Sequence, residues 1–81
     1  MTHDSLYLWN LVSESGRVTE CHLGVTAAGD HQLAILHDGI VAATEVYGTA
    51  ALARARAWAL HRALLGRGWA EAVSGIRAAH E

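Results

Sequence analysis

At Gly48-Thr49 the sequence changes its period. Before that point apolar residues come in runs of strand length, broken at Ser13-Glu14-Ser15-Gly16, Ala27-Ala28-Gly29-Asp30 and Asp38-Gly39. After it they recur every three or four residues, as on one side of a helix. A chain of 81 residues has room for one core, so a single switch of this kind implies one sheet and one helical half.

The strand half reads as four segments, residues 5–12, 17–25, 31–37 and 40–47. Asp38-Gly39 is the strongest turn signal, because a two-residue type I′ turn needs positive φ at both positions. Strict alternation puts Thr19, Cys21, Leu23 and Val25 opposite Val18, Glu20, His22 and Gly24. It likewise sets Tyr7, Trp9 and Leu11 against Leu6, Leu8 and Val12, Leu33 and Ile35 against Ala34 and Leu36, and Val41 and Tyr47 against Ile40 and Val46. Thr49 is a good helix N-cap, and helical spacing runs from Ala50 to about Leu65. Gly66 and Gly68 punctuate its end, with Arg67 suited to the negative pole of the helix dipole. Trp69, Ala72, Val73 and Ile76 repeat at helical spacing and predict a short second helix. The expected fold is α+β, a four-stranded antiparallel β-meander with one long helix packed on one face and a short C-terminal helix, ββββα. Residues 1–81 form a single domain, with the sheet in 1–48, the main helix in 49–67 and the tail helix in 69–80.

A helical wheel gathers Leu52, Ala53, Ala59, Leu60, Ala63 and Leu64 into a stripe expected to lie on the sheet. Arg54, His61 and Arg62 fall on the opposite side. Trp58 and Leu65, seven apart, make a second apolar ridge among those polar groups. That ridge is either covered by the tail helix through Trp69 and Val73, or forms an interface of aromatic and Arg hot-spot composition. Arg56 falls inside the sheet-facing stripe. Its stem either runs along the core to water or its guanidinium pairs with Glu45, Glu20 or Glu14, and Arg56 with Glu45 is the buried ion-pair candidate.

Composition narrows the function classes. The chain is 52% apolar, but sixteen of those residues are Ala and Phe is absent, so bulk for a core is scarce. With 17% charged residues and no Pro it does not read as disordered, and the single Cys21 excludes a disulfide scaffold. No apolar stretch approaches the ~20 residues of a membrane span. Met1-Thr2-His3-Asp4 lacks the basic start of a signal peptide, so a cytoplasmic location is expected. The formal charge of −2 divides into an acidic strand half and an Arg-bearing helical half without Lys, the Ala and Arg bias of a GC-rich bacterial or phage source.

No chemistry assembles in the sequence. Six His lie at 3, 22, 31, 37, 61 and 80, with no H-x3-H and no paired Cys, so no metal and no cofactor are expected. Cys21 and His22 point to opposite faces of a strand, and no glycine-rich phosphate loop is present. The residues therefore predict a non-enzymatic protein-interaction module, of adaptor, regulator or inhibitor type. One helix covers one sheet face, and the apolar residues left over call for a second copy or another protein, most simply a homodimer. The interface residues expected are Trp58, Leu65, Arg54, Arg62 and His61 on the helix, with Trp9 and Tyr7 on the sheet. The alternative is a single-stranded nucleic-acid binder. Four strands and a helix, dimerised, resemble in topology the PUR-type and Whirly-type proteins, which implies base stacking on Trp9, Tyr7 and Tyr47 and backbone contacts from Arg54, Arg62 and Arg67.

Overall fold

The computed structural model describes residues 6–71. Strands β1 (Leu6–Val12), β2 (Val18–Val25), β3 (His31–His37) and β4 (Ile40–Tyr47) precede the helix α1 (Ala50–Leu65), and a two-residue β5 (Ala70–Glu71) follows it. The sheet is antiparallel throughout in the order β4-β3-β2-β1-β5, so the expected α+β meander with one helix on one face is the fold that forms.

Local chemistry accounts for the turns. The first two connections share one construction. Gly16 N–H donates to the Ser13 carbonyl (2.9 Å) and Ser13 N–H to the Arg17 carbonyl (2.9 Å), while Gly29 N–H donates to Thr26 (2.9 Å) and Thr26 N–H to Asp30 (2.8 Å). Each closes through a glycine at positive φ, +88° at Gly16 and +91° at Gly29. Asp38 and Gly39 take φ of +52° and +84°, the type I′ geometry that the dipeptide predicts. Asp38 also extends the β2–β3 ladder beyond its last residue. Its N–H donates to the Val18 carbonyl (2.7 Å), and its carboxylate replaces the missing backbone acceptor for Val18 N–H (2.9 Å).

The helix starts at Thr49, whose hydroxyl accepts from Leu52 N–H at 3.1 Å. It ends in a Schellman motif. Gly68 has φ of +97°, its N–H donates to Leu65 (3.1 Å), and Trp69 N–H donates to Leu64 (3.1 Å). This turn corrects the expected tail helix. The chain reverses at Gly68 and lays Ala70 and Glu71 against Val12 and Leu11 on the free edge of β1. The ladder satisfies their backbone groups without a new helix nucleus, whose first turn is costly to form. The rest of that expectation, residues 72–80, lies outside the described residues.

Two irregularities break the alternation that the sequence suggests. The register shifts between Tyr7 and Trp9 in β1, and again where Ile35 faces Ala43 but Leu36 faces Val41, leaving Ala42 as the extra residue. Tyr7 therefore pairs with His22 on the side away from the helix, whereas Trp9 pairs with Cys21 beneath it. Val41 joins Val46 on the face away from α1, and Ile40 joins Tyr47 on the helix side. Both pairings reverse the expectation from strict alternation.

The core is small: Trp9, Leu11, Cys21, Leu23 and Leu33 from the sheet meet Ala53 and Ala57 from α1, with Leu8, Tyr47, Leu60, Leu64 and Trp69 packed around them. The sheet-facing stripe of α1 is rotated by roughly 60° from the one the wheel selects, at 100° per residue. Leu52, expected within that stripe, is 57% exposed, while Ala57, outside it, is fully buried. The cause is Trp9. Its indole needs a slot between small residues, and its Nε1–H donates to the Ala57 carbonyl at 3.0 Å.

Candidate interaction surface

On the covered side of the sheet, three rings stand in a row. The His61 imidazole meets Trp9 edge-on at 5.5 Å and Trp58 edge-on at 5.0 Å, and its Nε2 lies 2.7 Å from Glu71 Oε2. His61 thus joins α1 to β5, and it is mostly buried. Trp9 is buried outright, so neither residue offers the free surface expected of it. Trp58 is 41% exposed, and Leu65, Arg54 and Arg62 are exposed as well. Trp69 packs on the core with Leu64, and Val73 lies outside the described residues.

A cleft of about 320 Å³ opens between α1 and the β3–β4 end of the sheet, because one helix is narrower than four strands. Its apolar walls include Ile35, Ala43, Leu60 and Leu64, with Arg67 at one end and the Arg56–Glu45 pair across it. Arg56 Nε donates to Glu45 Oε1 (3.1 Å) and Nη2 to Oε2 (3.4 Å), and Tyr47 O–H donates to Oε1 at 2.7 Å. Of the three acids open to Arg56, Glu45 is the one it meets. The pair is not buried: Arg56 is exposed and Glu45 half-buried, since α1 does not reach far enough over β4 to enclose them. The Arg56 guanidinium and the Tyr47 hydroxyl hold the Glu45 carboxyl below the usual carboxylate range. The same hydrogen bond from Tyr47 raises its phenol.

The opposite face of the sheet carries no described element. Its rows follow from the register: Val46–Gln32–Gly24, then Thr44–Ala34–His22–Tyr7, then Val41–Leu36–Glu20. The β1–β2 half is polar. His22 Nε2 lies 2.9 Å from Glu20 Oε1, and the Tyr7 ring stands edge-on to His22 at 5.3 Å. The β3–β4 half carries an apolar strip of Ala34, Leu36, Val41 and Val46 interrupted by Thr44 and Gln32, with Val41 56% and Val46 55% exposed. Sequence reasoning misses this strip as a unit, because it needs the shift at Ala42 to bring Val41 and Val46 to one face.

The expected interface residues do not share a surface. Tyr7 lies on the bare face, while Trp58 belongs to α1 on the other side of the sheet. The three aromatics expected to stack bases are likewise separated, with Trp9 buried, Tyr47 on the helix side and Tyr7 on the bare side. Cys21 is enclosed in the core, where burial and the Glu45 charge push its thiol up to about 11. The thiolate that would act as nucleophile or metal ligand is therefore suppressed. Among the described residues no three His, Cys, Asp or Glu side chains converge on a metal-sized space, and no helix is long and apolar enough to cross a membrane. Compared with protein-family models, with curated proteins and with solved structures, the chain matches none.

Proposed function

We propose that this chain is a non-enzymatic protein-interaction module, of adaptor, regulator or inhibitor type, that works as a homodimer and takes its partner protein on the bare sheet face. The observation that carries the reading is the apolar strip of Ala34, Leu36, Val41 and Val46 beside the polar Tyr7–His22–Glu20 group. Apolar area flanked by satisfied polar groups is the composition of a protein-binding surface. Its action is occlusion or tethering, with no covalent step. The Arg-rich, Lys-free composition and the single thiol support a bacterial or phage protein of the cytoplasm.

Sedimentation equilibrium between about 1 and 200 µM should show a species of twice the 8.6 kDa protomer mass. A monomer across that range overturns the dimer. For the partner, affinity capture from the source cell is run with wild type and with Ala34→Glu, which plants a charge in the middle of the bare face. A protein retained by wild type and lost by the folded variant supports the reading, and equal retention by both overturns it. Single-stranded DNA retained at about 50 mM salt and released by about 200 mM would instead mark a nucleic-acid binder.

A further inference from the structure

The two edges of the sheet are treated differently. On one side β5 covers the end of β1 at Leu11 and Val12, and the shift between Tyr7 and Trp9 makes the remainder irregular. On the other side no described strand pairs with β4, which presents Ile40–Tyr47 with a single bulge at Ala42. Ile40 is 72% exposed, and Glu45 is the sole charge on the strand, already held by Arg56. The outward N–H and C=O groups of this edge, unpaired among the described residues, are open to a strand that accommodates the bulge.

The geometry points to a second copy of this chain as the occupant, its β4 paired antiparallel to the first across a two-fold axis at Thr44. This rests on the homodimer reading above and names its interface. The support is the register itself. With Ala42 as the spare residue, any two-fold centred on a residue keeps both faces consistent, and the one centred on Thr44 pairs the whole of Ile40–Tyr47 with its own copy. Centred on Thr44, Thr44 meets Thr44 and Ala43 meets Glu45. With Ala42 as the spare residue, Val41 then meets Val46 and Ile40 meets Tyr47. Each of these pairs lies on one face, Val41, Thr44 and Val46 on the bare side and Ile40, Ala43, Glu45 and Tyr47 on the helix side. β-branched and aromatic pairs, with Thr against Thr, are favourable cross-strand neighbours. Charge agrees as well. Glu45 faces Ala43, whereas a register centred one residue later would set two Glu45 carboxylates against each other.

The junction is about 26 Å long and buries on the order of 800 to 1,000 Å² in total, at the low end for a specific contact, so a micromolar dimer is expected. It joins two sheets into one of ten strands, with both helices on the same side. The two apolar strips then become continuous, and the bare face stays open for a partner protein.

Thr44→Cys tests the register. Directly opposed strand residues lie within disulfide range, so mild copper-catalysed air oxidation should convert most of this variant to a covalent dimer. Val46→Cys alone should not cross-link, because its two copies stand about 13 Å apart along the strands. A mixture of Val41→Cys and Val46→Cys proteins should cross-link to each other. Cys21, buried, stays out of the reaction. The double variant Val41→Lys/Val46→Lys, at exposed positions, should weaken dimerisation at least tenfold with unchanged circular dichroism. A dimeric wild type in which Thr44→Cys fails to cross-link, or in which the double Lys variant dimerises normally, overturns this register and leaves the dimer reading standing. A monomeric wild type overturns both.

Discussion

Cys21 shows how one residue's role follows from its surroundings. In the sequence a cysteine beside a histidine invites a nucleophile, yet the strand sends the two side chains to opposite faces and α1 seals the thiol beneath Ala53 and Ala57. With the thiol raised to about 11, only about one part in a thousand is thiolate at pH 8, against roughly a quarter for an ordinary cysteine. A thiol-disulfide reagent at pH 8 should therefore modify the folded protein at least ~100-fold more slowly than the protein in denaturant. Reaction at the denatured rate would mean that α1 does not hold the core closed. Arg56 and Glu45 carry the complementary lesson. Three acids were open to Arg56 in the sequence, and the reach of α1 along β4 selects one of them while leaving the pair in contact with water.

At the scale of the element, the two glycines that end α1 are distinct. Gly66 has φ of −66°, and a Cβ there would meet Ala63 and Arg62 carbonyls at ordinary contact distances of 3.5 and 3.6 Å. Gly68 has open space around it but φ of +97°. Gly66→Ala should thus be neutral or stabilise by up to about 1 kcal/mol, through helix propensity and a less free unfolded chain. Gly68→Ala should destabilise by about 1 kcal/mol or more, because a Cβ opposes the left-handed conformation. Urea denaturation of both variants tests this, and equal shifts of the same sign would refute the Schellman assignment. The sequence marks both glycines as the helix end. Which of them bears the positive φ is decided by Trp69 and Ala70-Glu71, which need the chain turned back towards Leu64 and β1.

For the whole molecule, two carboxylates tie distant segments together. Asp38 fastens the β3–β4 turn to Val18 and Arg17, and Glu45 links β4 to α1 through Arg56. The Val18 N–H and Arg17 hold the Asp38 carboxyl below its ordinary value, as Arg56 and Tyr47 do for Glu45. A carboxylate depressed in the folded state stabilises above its unfolded pKa and loses that contribution as pH falls through the folded pKa. Urea midpoints should therefore hold steady on this account from neutrality down to about pH 5 and then decline through and below the usual carboxylate range. The decline should be shallower in Asp38→Asn, which keeps an acceptor for Val18 without the titrating group. An unchanged acid profile in that variant would show that the Asp38 contacts do not couple folding to protonation.

The sequence by itself determined the four strands, the three turns, the start and stop of α1 and the α+β architecture. Each rests on chemistry within a few residues: glycines for positive φ, Thr49 as a cap, and the change of period at Gly48-Thr49. Tertiary structure alone decided the shifts at Tyr7/Trp9 and Ala42, the rotation of α1, the fifth strand and the choice of Glu45. The physical reason is degeneracy. Alanines at 50, 51, 53, 55, 57, 59 and 63 make α1 apolar on nearly every side, so no single stripe stands out until the Trp9 indole selects the groove it fits. Likewise a strand's faces depend on the register of the strand beside it. The bare strip that carries the proposed interface therefore exists only once β3 and β4 are paired.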